Sequence, residues 1–289
     1  MARVVITGAN GLLGHEVVRL LVEAGDEAVC IGRSPPQITD DAVQFVAADL
    51  NQPLRGADLP ARADAVIHLA QSERFNAFPD GADAVFAVNV ATTAALLDWA
   101  RGAHVGAFVH ASSGGLYAGG DAPLSETAPL AIAGPLAFYL STKRAAEMLA
   151  DAYTGQFAVA ALRYFFIYGP RQRATMLVPR LIASVRDGRA LTLQGADGMR
   201  LNPVFVIDAA IATVAAMRAK LTGVVNIAGP DVVSIRGIGA AIVALVGRAP
   251  AFETNDGAPK LLVADITRMR KELGAPTTSF AAGLKEMCG

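Results

Sequence analysis

Several classes of protein are excluded by what this sequence has little of. Cysteine occurs twice in 289 residues, as Cys30 and Cys288, too sparse and too far apart for a disulfide framework or a thiolate metal site. A reducing, cytoplasmic setting is expected. The four histidines, His15, His68, His104 and His110, show no ligand spacing, and no metal is expected. Charge is scarce as well. Asp, Glu, Lys and Arg make up 18% of the chain and nearly cancel, 25 Lys+Arg against 26 Asp+Glu, which offers no basic surface to nucleic acid or an anionic membrane. Although 53% of residues are hydrophobic, no run reaches the roughly 18 uncharged apolar residues that a membrane-spanning helix requires. Only three apolar residues separate Arg3 from Thr7-Gly8, so no secretory signal is expected. Repeats, low-complexity tracts and flexible linkers are missing too.

What the chain does have is alanine, 57 residues of it, and a rhythm. Short apolar runs (Val4-Val5-Ile6, Ala28 to Ile31, Val43 to Ala47, Ala65 to Leu69, Gly106 to Ala111, Val159 to Leu162) alternate with Ala/Leu-rich helical stretches at 12–24, 85–101 and 138–153. Such alternation predicts βαβ units in an α/β fold, a doubly wound parallel sheet covered by helices on both faces. Small side chains suit that close helix-on-sheet packing. Beyond about residue 165 the elements shorten, punctuated by Gly169-Pro170, Pro179, Gly195, Pro203 and Gly229-Pro230. The length allows roughly two domains. Residues 1–165 are expected to form a large cofactor domain, with later returns near 204–228 and 262–275. Residues 166–289 are expected to be mainly a substrate lobe, with the ligand between the two.

The first strand runs into Gly8-Ala9-Asn10-Gly11-Leu12-Leu13-Gly14 and then directly into a helix. Glycines there permit a tight turn and close approach of backbone to a pyrophosphate, and the helix N-terminus supplies free N–H groups and positive dipole. The spacing predicts dinucleotide binding. At the end of the second strand, where an acid would bind the ribose of NAD, stand Arg33 and Ser34. Arg33 could pair with a 2′-phosphate, which favours NADP slightly, or be a solvated loop arginine beside NAD. Asp49-Leu50 follows the third strand, in reach of an adenine edge.

Tyr139 and Lys143 stand four apart on a helical stretch and so share one face. A nearby cation favours phenolate, which turns a tyrosine into an acid/base usable near neutral pH. Ser112-Ser113 ends the fifth strand at the side of the sheet where ligands bind, and Ser113 is the candidate to polarise a substrate oxygen.

In this order the motifs resemble the extended short-chain dehydrogenase/reductases, specifically the NAD-dependent epimerase/dehydratase family. Further marks are His68-Leu69-Ala70, Asn89-Val90 with Thr93, Leu162-Arg163-Tyr164 through Tyr168-Gly169-Pro170-Arg171-Gln172, Arg200 to Asp208, Asn226 to Gly229, and Asp265-Ile266 before Glu272-Leu273-Gly274. The resemblance implies a Rossmann-type fold with Ser113, Tyr139 and Lys143 catalytic. It implies NAD or NADP held by Gly8, Asn10, Gly11, Leu12, Leu13, Gly14, Arg33, Ser34, Asp49, Leu50, Leu69, Ala70, Gln71, Asn89, Tyr139 and Lys143. Substrate, expected to be a nucleotide sugar, would meet Ser113, Tyr139, Phe166, Arg171 and Arg200, although Arg200 and Arg171 read equally as solvated arginines. Gly114-Gly115 stands where the dehydratases carry acids, which disfavours dehydration. Phe166 stands where epimerases often have Asn, and with the chain length this keeps open a reductase or dehydrogenase of a smaller carbonyl compound. A non-catalytic dinucleotide-binding regulator is the third reading, opposed by the intact Tyr139/Lys143 pair. A homodimer through the helices at 88–101 and 139–153 is also implied.

Overall fold

Nine strands are met before residue 228: β1 (Arg3–Thr7), β2 (Glu27–Gly32), β3 (Val43–Ala47), β4 (Ala65–His68), β5 (Ala107–Ser113), β6 (Ala158–Tyr164), β7 (Leu191–Gln194), β8 (Arg200–Leu201) and β9 (Gly223–Ile227). They belong to a computed structural model that describes residues 1–287, so Cys288 lies outside the described residues. Seven of the strands form one sheet in the order β3-β2-β1-β4-β5-β6-β9, and the pairings from β3 through β5 are parallel. The chain leaves β1 toward β2 and β3, then returns to β1's other side as β4. That reversal makes the carboxyl ends of β1 and β4 the place where an open α/β sheet receives a ligand. Continuous burial along β1, β2, β4 and β5 fits a sheet covered on both faces.

Helices α1 (Leu12–Glu23), α2 (Ala82–Phe86), α3 (Thr92–Gly102) and α4 (Ala137–Asp151) match the apolar stretches of the sequence, with one difference. The stretch expected as a single helix over 85–101 is interrupted by a π-helical turn at Ala87–Ala91. Its cause is local to Asn89, whose backbone carbonyl accepts from Thr93 Oγ1 (2.7 Å) and whose amide reaches α4. Such turns gather at functional sites.

The chain divides into two compact units that differ from the expected boundaries. The first holds Met1–Leu116, Leu130–Arg163 and Ala210–Val225; the second holds Tyr117–Pro129, Tyr164–Ala209 and Asn226 onward. An excursion at 117–129, unforeseen in the sequence, belongs to the second unit because Leu124 pairs with Ala264 and Glu126 accepts from Asn226 N. Segment 262–275, expected to return to the cofactor domain, lies in the second unit as well. Within that unit β10 (Val233–Ser234) and β12 (Leu261–Leu262) flank β8, and β11 (Phe252–Asn255) pairs with β7. Among the described residues no helix is long and apolar enough to cross a membrane.

The register of the central sheet lines up polar groups near the carboxyl ends of its strands. Thr7 lies opposite His68, and His68 opposite His110. Thr7 Oγ1 accepts from Ala70 N (3.2 Å) and shares a hydrogen bond with His68 Nδ1 (2.6 Å). Burial, then the charge of Lys143, holds His68 down to about 3, and His110 is also held low. Further along, Glu147 of α4 accepts from Ser112 Oγ of β5 (2.5 Å) and from Arg163 of β6 (2.8 Å to each carboxylate oxygen), with Arg144 adding a bond at 2.9 Å. Glu147 and Arg163 are 4% and 3% exposed, so each neutralises an otherwise buried charge.

Burial pushes the Glu147 carboxyl up, but the bonds from Arg163, Ser112 and Arg144 outweigh it and hold it below the usual range. A depressed carboxyl contributes stability above its unfolded pKa and loses it as pH falls through the folded value. Glu147→Gln is therefore expected to cost about 3–5 kcal/mol at neutral pH, followed by urea denaturation with Trp99 fluorescence. The gap to the wild type should narrow below about pH 4.

Candidate active site

The loop after β1 is built from glycines that cannot be replaced without moving backbone. Gly8 has φ +79°, and a Cβ there would lie 2.8 Å from Ala70 N. At Gly14 a Cβ would lie 2.1 Å from Gly8 O, so this glycine lets α1 close onto the strand. Gly11 serves differently. It is the N-cap of α1, with no side chain to bond the first-turn amides and no acid in that turn. Gly11 N itself donates to Gly8 O (2.9 Å), so Leu12 and Leu13 present the bare helix N-terminus, the arrangement that receives phosphate.

Asn10 binds this loop to the segment after β2. Its Nδ2 donates to Ser34 O (3.1 Å), Ser34 Oγ (3.2 Å) and Pro35 O (3.0 Å). Arg33 points elsewhere than expected for a group awaiting phosphate, with Nη2 3.4 Å from Glu73 Oε1 and both side chains largely exposed. Asp49 is exposed; bonds from the backbone and side chain of Asn51 hold its carboxyl below the usual range, and Leu50 is buried beside it. Its carbonyl accepts from Thr92 Oγ1 (3.2 Å), tying this loop to α3.

At the end of β4, Leu69 N donates to Thr7 O (3.2 Å) and Ala70 N to Thr7 Oγ1, which fixes the backbone opposite Gly8. Asn89 is 1% exposed and donates to Thr142 Oγ1 (3.0 Å), which in turn donates to Tyr139 O (2.7 Å). Its Oδ1 is buried without a protein partner. A bare N-terminus at Leu12 and Leu13 and an orphaned buried acceptor at Asn89 fit a dinucleotide with phosphate and polar groups to satisfy them.

Ser113, Tyr139 and Lys143 all lie in the first unit. Ser113 ends β5 and accepts from Gly115 N (3.1 Å). Tyr139 and Lys143 lie one turn apart on the buried face of α4, with Lys143 Nζ 5.9 Å from the tyrosine ring centroid. The lysine, 2% exposed, donates to Ala111 O (2.8 Å). Burial lowers it to about 8, against the Glu147 charge that raises it. Here the electrostatics differ from the sequence expectation of a lysine-depressed tyrosine. Burial pushes the Tyr139 phenol up to about 12, against a bond with Ser113 that favours the phenolate. Desolvation of the phenolate is the dominant cause. Gln71, expected only to lie near a cofactor, accepts from Tyr139 Oη (3.0 Å).

Phe166, Arg171 and Arg200 lie in the second unit. Phe166 and Arg171 both have positive φ, +48° and +68°. Asparagine tolerates that conformation better than phenylalanine does. Arg200 is exposed on β8, with its backbone N–H bonded to Lys260 O (3.0 Å). The sequence reading missed Glu147, Thr142 and His110. A glutamate four residues beyond Lys143 was the available signal for the first.

Residues 4–228 match the model of the NAD dependent epimerase/dehydratase family, and the chain belongs to this family of enzymes. Across nearly its whole length it is similar to a UDP-glucuronate 4-epimerase from Thermodesulfobacterium geofontis (25% identical, 99% of this chain and 94% of the relative). It is also similar to a dTDP-glucose 4,6-dehydratase from Streptomyces griseus (27%, 96% and 90%). Among solved structures, a UDP-glucuronic acid 4-epimerase from Bacillus cereus in complex with UDP-glucuronic acid and NAD superposes with a TM-score of 0.84 at 26% identity, covering 98% of this chain and 96% of that one. The chain is accordingly an extended short-chain dehydrogenase/reductase with the Rossmann-type fold that its sequence predicted.

Proposed function

We propose that this enzyme epimerises a nucleotide sugar using NAD. The observation that carries the reading is the pair Tyr139 and Lys143, one helical turn apart on the buried face of α4, in a chain alike over 98% of its length to an epimerase solved with UDP-glucuronic acid and NAD. Bound NAD would supply the hydride-accepting and hydride-donating chemistry. This chain's residues handle the proton. Tyr139 takes the hydroxyl proton from the carbon being oxidised, in the phenolate form that the positive charge of an oxidised nicotinamide beside it would favour against burial, and gives one back when the carbonyl is reduced. Ser113 donates to the same oxygen and holds it. Lys143 would bond the nicotinamide ribose, Leu12 and Leu13 the pyrophosphate, and Asp49 the adenine edge. Arg171 and Arg200 are read as holding the sugar nucleotide's diphosphate.

Elimination is disfavoured because Gly114-Gly115 supplies no acid or base beside Ser113. A Cβ at Gly115 would already lie 3.1 Å from Leu140 Cδ2. A reductase of a smaller carbonyl compound is the second reading, favoured by Phe166, whose half-buried aryl group gives a diphosphate nothing to bond. For the cofactor we read NAD over NADP: Glu73 beside Arg33 sets negative charge where a 2′-phosphate would bind, although so exposed a pair is weak. A homodimer through α3 and α4 is supported by apolar side chains left in solvent on α4, Met148 (61% exposed) and Leu149 (37%), and on neighbouring α2, Phe86 (53%). A cytoplasmic setting is supported by the free, buried thiol of Cys30.

With NAD present, NMR on a panel of UDP- and dTDP-sugars is expected to detect a C4-epimerised product without net change in absorbance. Net NAD(P)H turnover on small carbonyl compounds alone would establish the second reading. Tyr139→Phe should lower kcat about 10²–10⁴-fold with unchanged melting temperature. Calorimetry is expected to show NADH binding more tightly than NADPH, with Glu73→Gln narrowing the difference; tighter NADPH in the wild type returns the cofactor to NADP. Light scattering at micromolar concentration should give a dimer mass, reduced to that of the monomer by Met148→Asp.

A further inference from the structure

The carboxamide of Gln71 touches the group that moves the proton. Gly115 N–H donates to Ser113 Oγ (3.1 Å), and Tyr139 Oη donates to Gln71 Oε1 (3.0 Å). An amide oxygen only accepts, so the tyrosine's single hydrogen is the one given to Gln71. The ring is held in place. Phe75 packs on it at 5.4 Å between centroids and 58° between planes, and Val85, Leu116 and Leu140 complete the cluster. The backbone before Gln71 is fixed by Ala70 N on Thr7 Oγ1, and Ser72 after it is 6% exposed. Gln71 itself, between these anchors, is an exposed residue.

A carboxamide offers a phenol something that a carboxylate or methyl group at that place does not. Its oxygen accepts from the acid form, its NH₂ donates to the base form, and a half-turn about the terminal bond exchanges the two. We propose that Gln71 is a positioning residue for Tyr139 that holds the phenolic oxygen in both protonation states, accepting from the acid and donating to the base. The proposal rests on Tyr139 being the acid/base of the reaction described above. As the substrate O–H bond breaks and the Tyr139 O–H bond forms, the carboxamide turns from donor to acceptor; the return transfer reverses it. The groups facing Tyr139 are Lys143 from its own helix, Ser113 from β5, and Gln71 and Phe75 from the segment after β4.

The test uses Gln71→Glu, which accepts but cannot donate, and Gln71→Met, of similar shape with neither capacity. The full chain is produced with difluorotyrosine in place of tyrosine, which brings phenol ionisation into the stable pH range. The Tyr139 resonance, assigned with Tyr139→Phe, is titrated by ¹⁹F NMR without and with NAD. Because no substrate is needed, the titration stands or falls apart from the epimerase reading. The expected order of ionisation is wild type lowest, Met higher and Glu highest, with Glu at least about tenfold weaker in acidity than the wild type, since it sets a negative charge beside the phenolate. A charged acceptor makes the stronger bond, so losing the donor to phenolate outweighs losing the acceptor of phenol. Titration of the Glu variant with the wild type would overturn the proposal. So would a Met variant that ionises at lower pH than the wild type, because Gln71 would then serve the acid form alone.

Discussion

The placement of the chemistry depends on one buried carboxylate. Tyr139, Lys143 and Glu147 recur every four residues on α4 and face the sheet together. Glu147 is the member that fastens the helix, bonded to β5 through Ser112 and to β6 through Arg163. A buried ion pair is a poor source of net stability, because desolvation offsets the attraction. Its geometry is nonetheless demanding. A helix rotated or slid by one residue would strand two buried charges, so the pair selects the one placement in which the tyrosine meets Ser113 and the lysine meets Ala111 O.

A second tie acts nearer the chemistry. Asn89 reaches from its π-helical turn to Thr142, and Thr142 to the carbonyl of Tyr139. Together with the Thr7–His68 bond beneath the glycine loop, these contacts put polar groups in a layer that apolar side chains would normally fill. The layer is costly unless satisfied. It keeps the histidines neutral, so that Lys143 is the cation closest to the catalytic tyrosine.

How much of this could be read beforehand follows from the range of each interaction. The β1–loop–α1 unit was legible because its glycines answer to contacts within a few residues, and Tyr139 with Lys143 because helical periodicity is local. Ser113 was legible from its place at a strand end. Gln71 was visible as a residue but not as a partner, since 68 positions separate it from Tyr139. Glu147 looked like any polar residue on a helix, as its burial is decided by an arginine on another strand. The boundaries of the second unit were misjudged where pairing is remote, at Leu124 with Ala264. Arg33 illustrates the same limit: its charge was plain, its neighbour Glu73 was not.

The π-helical turn at Ala87–Ala91 carries a geometric consequence for how this enzyme tolerates insertions and deletions. Such a turn is an α-helix with one surplus residue. Removing a residue there would restore regular winding with little net rotation, because the wide turn absorbs the surplus residue instead of passing it on. Leu96, Leu97 and Ala100 would stay buried against the sheet, while Asn89 would lose its aim at Thr142. The extra residue thus serves the site alone: it lets Asn89 reach across to α4 without turning the core-facing side of α3 out of phase.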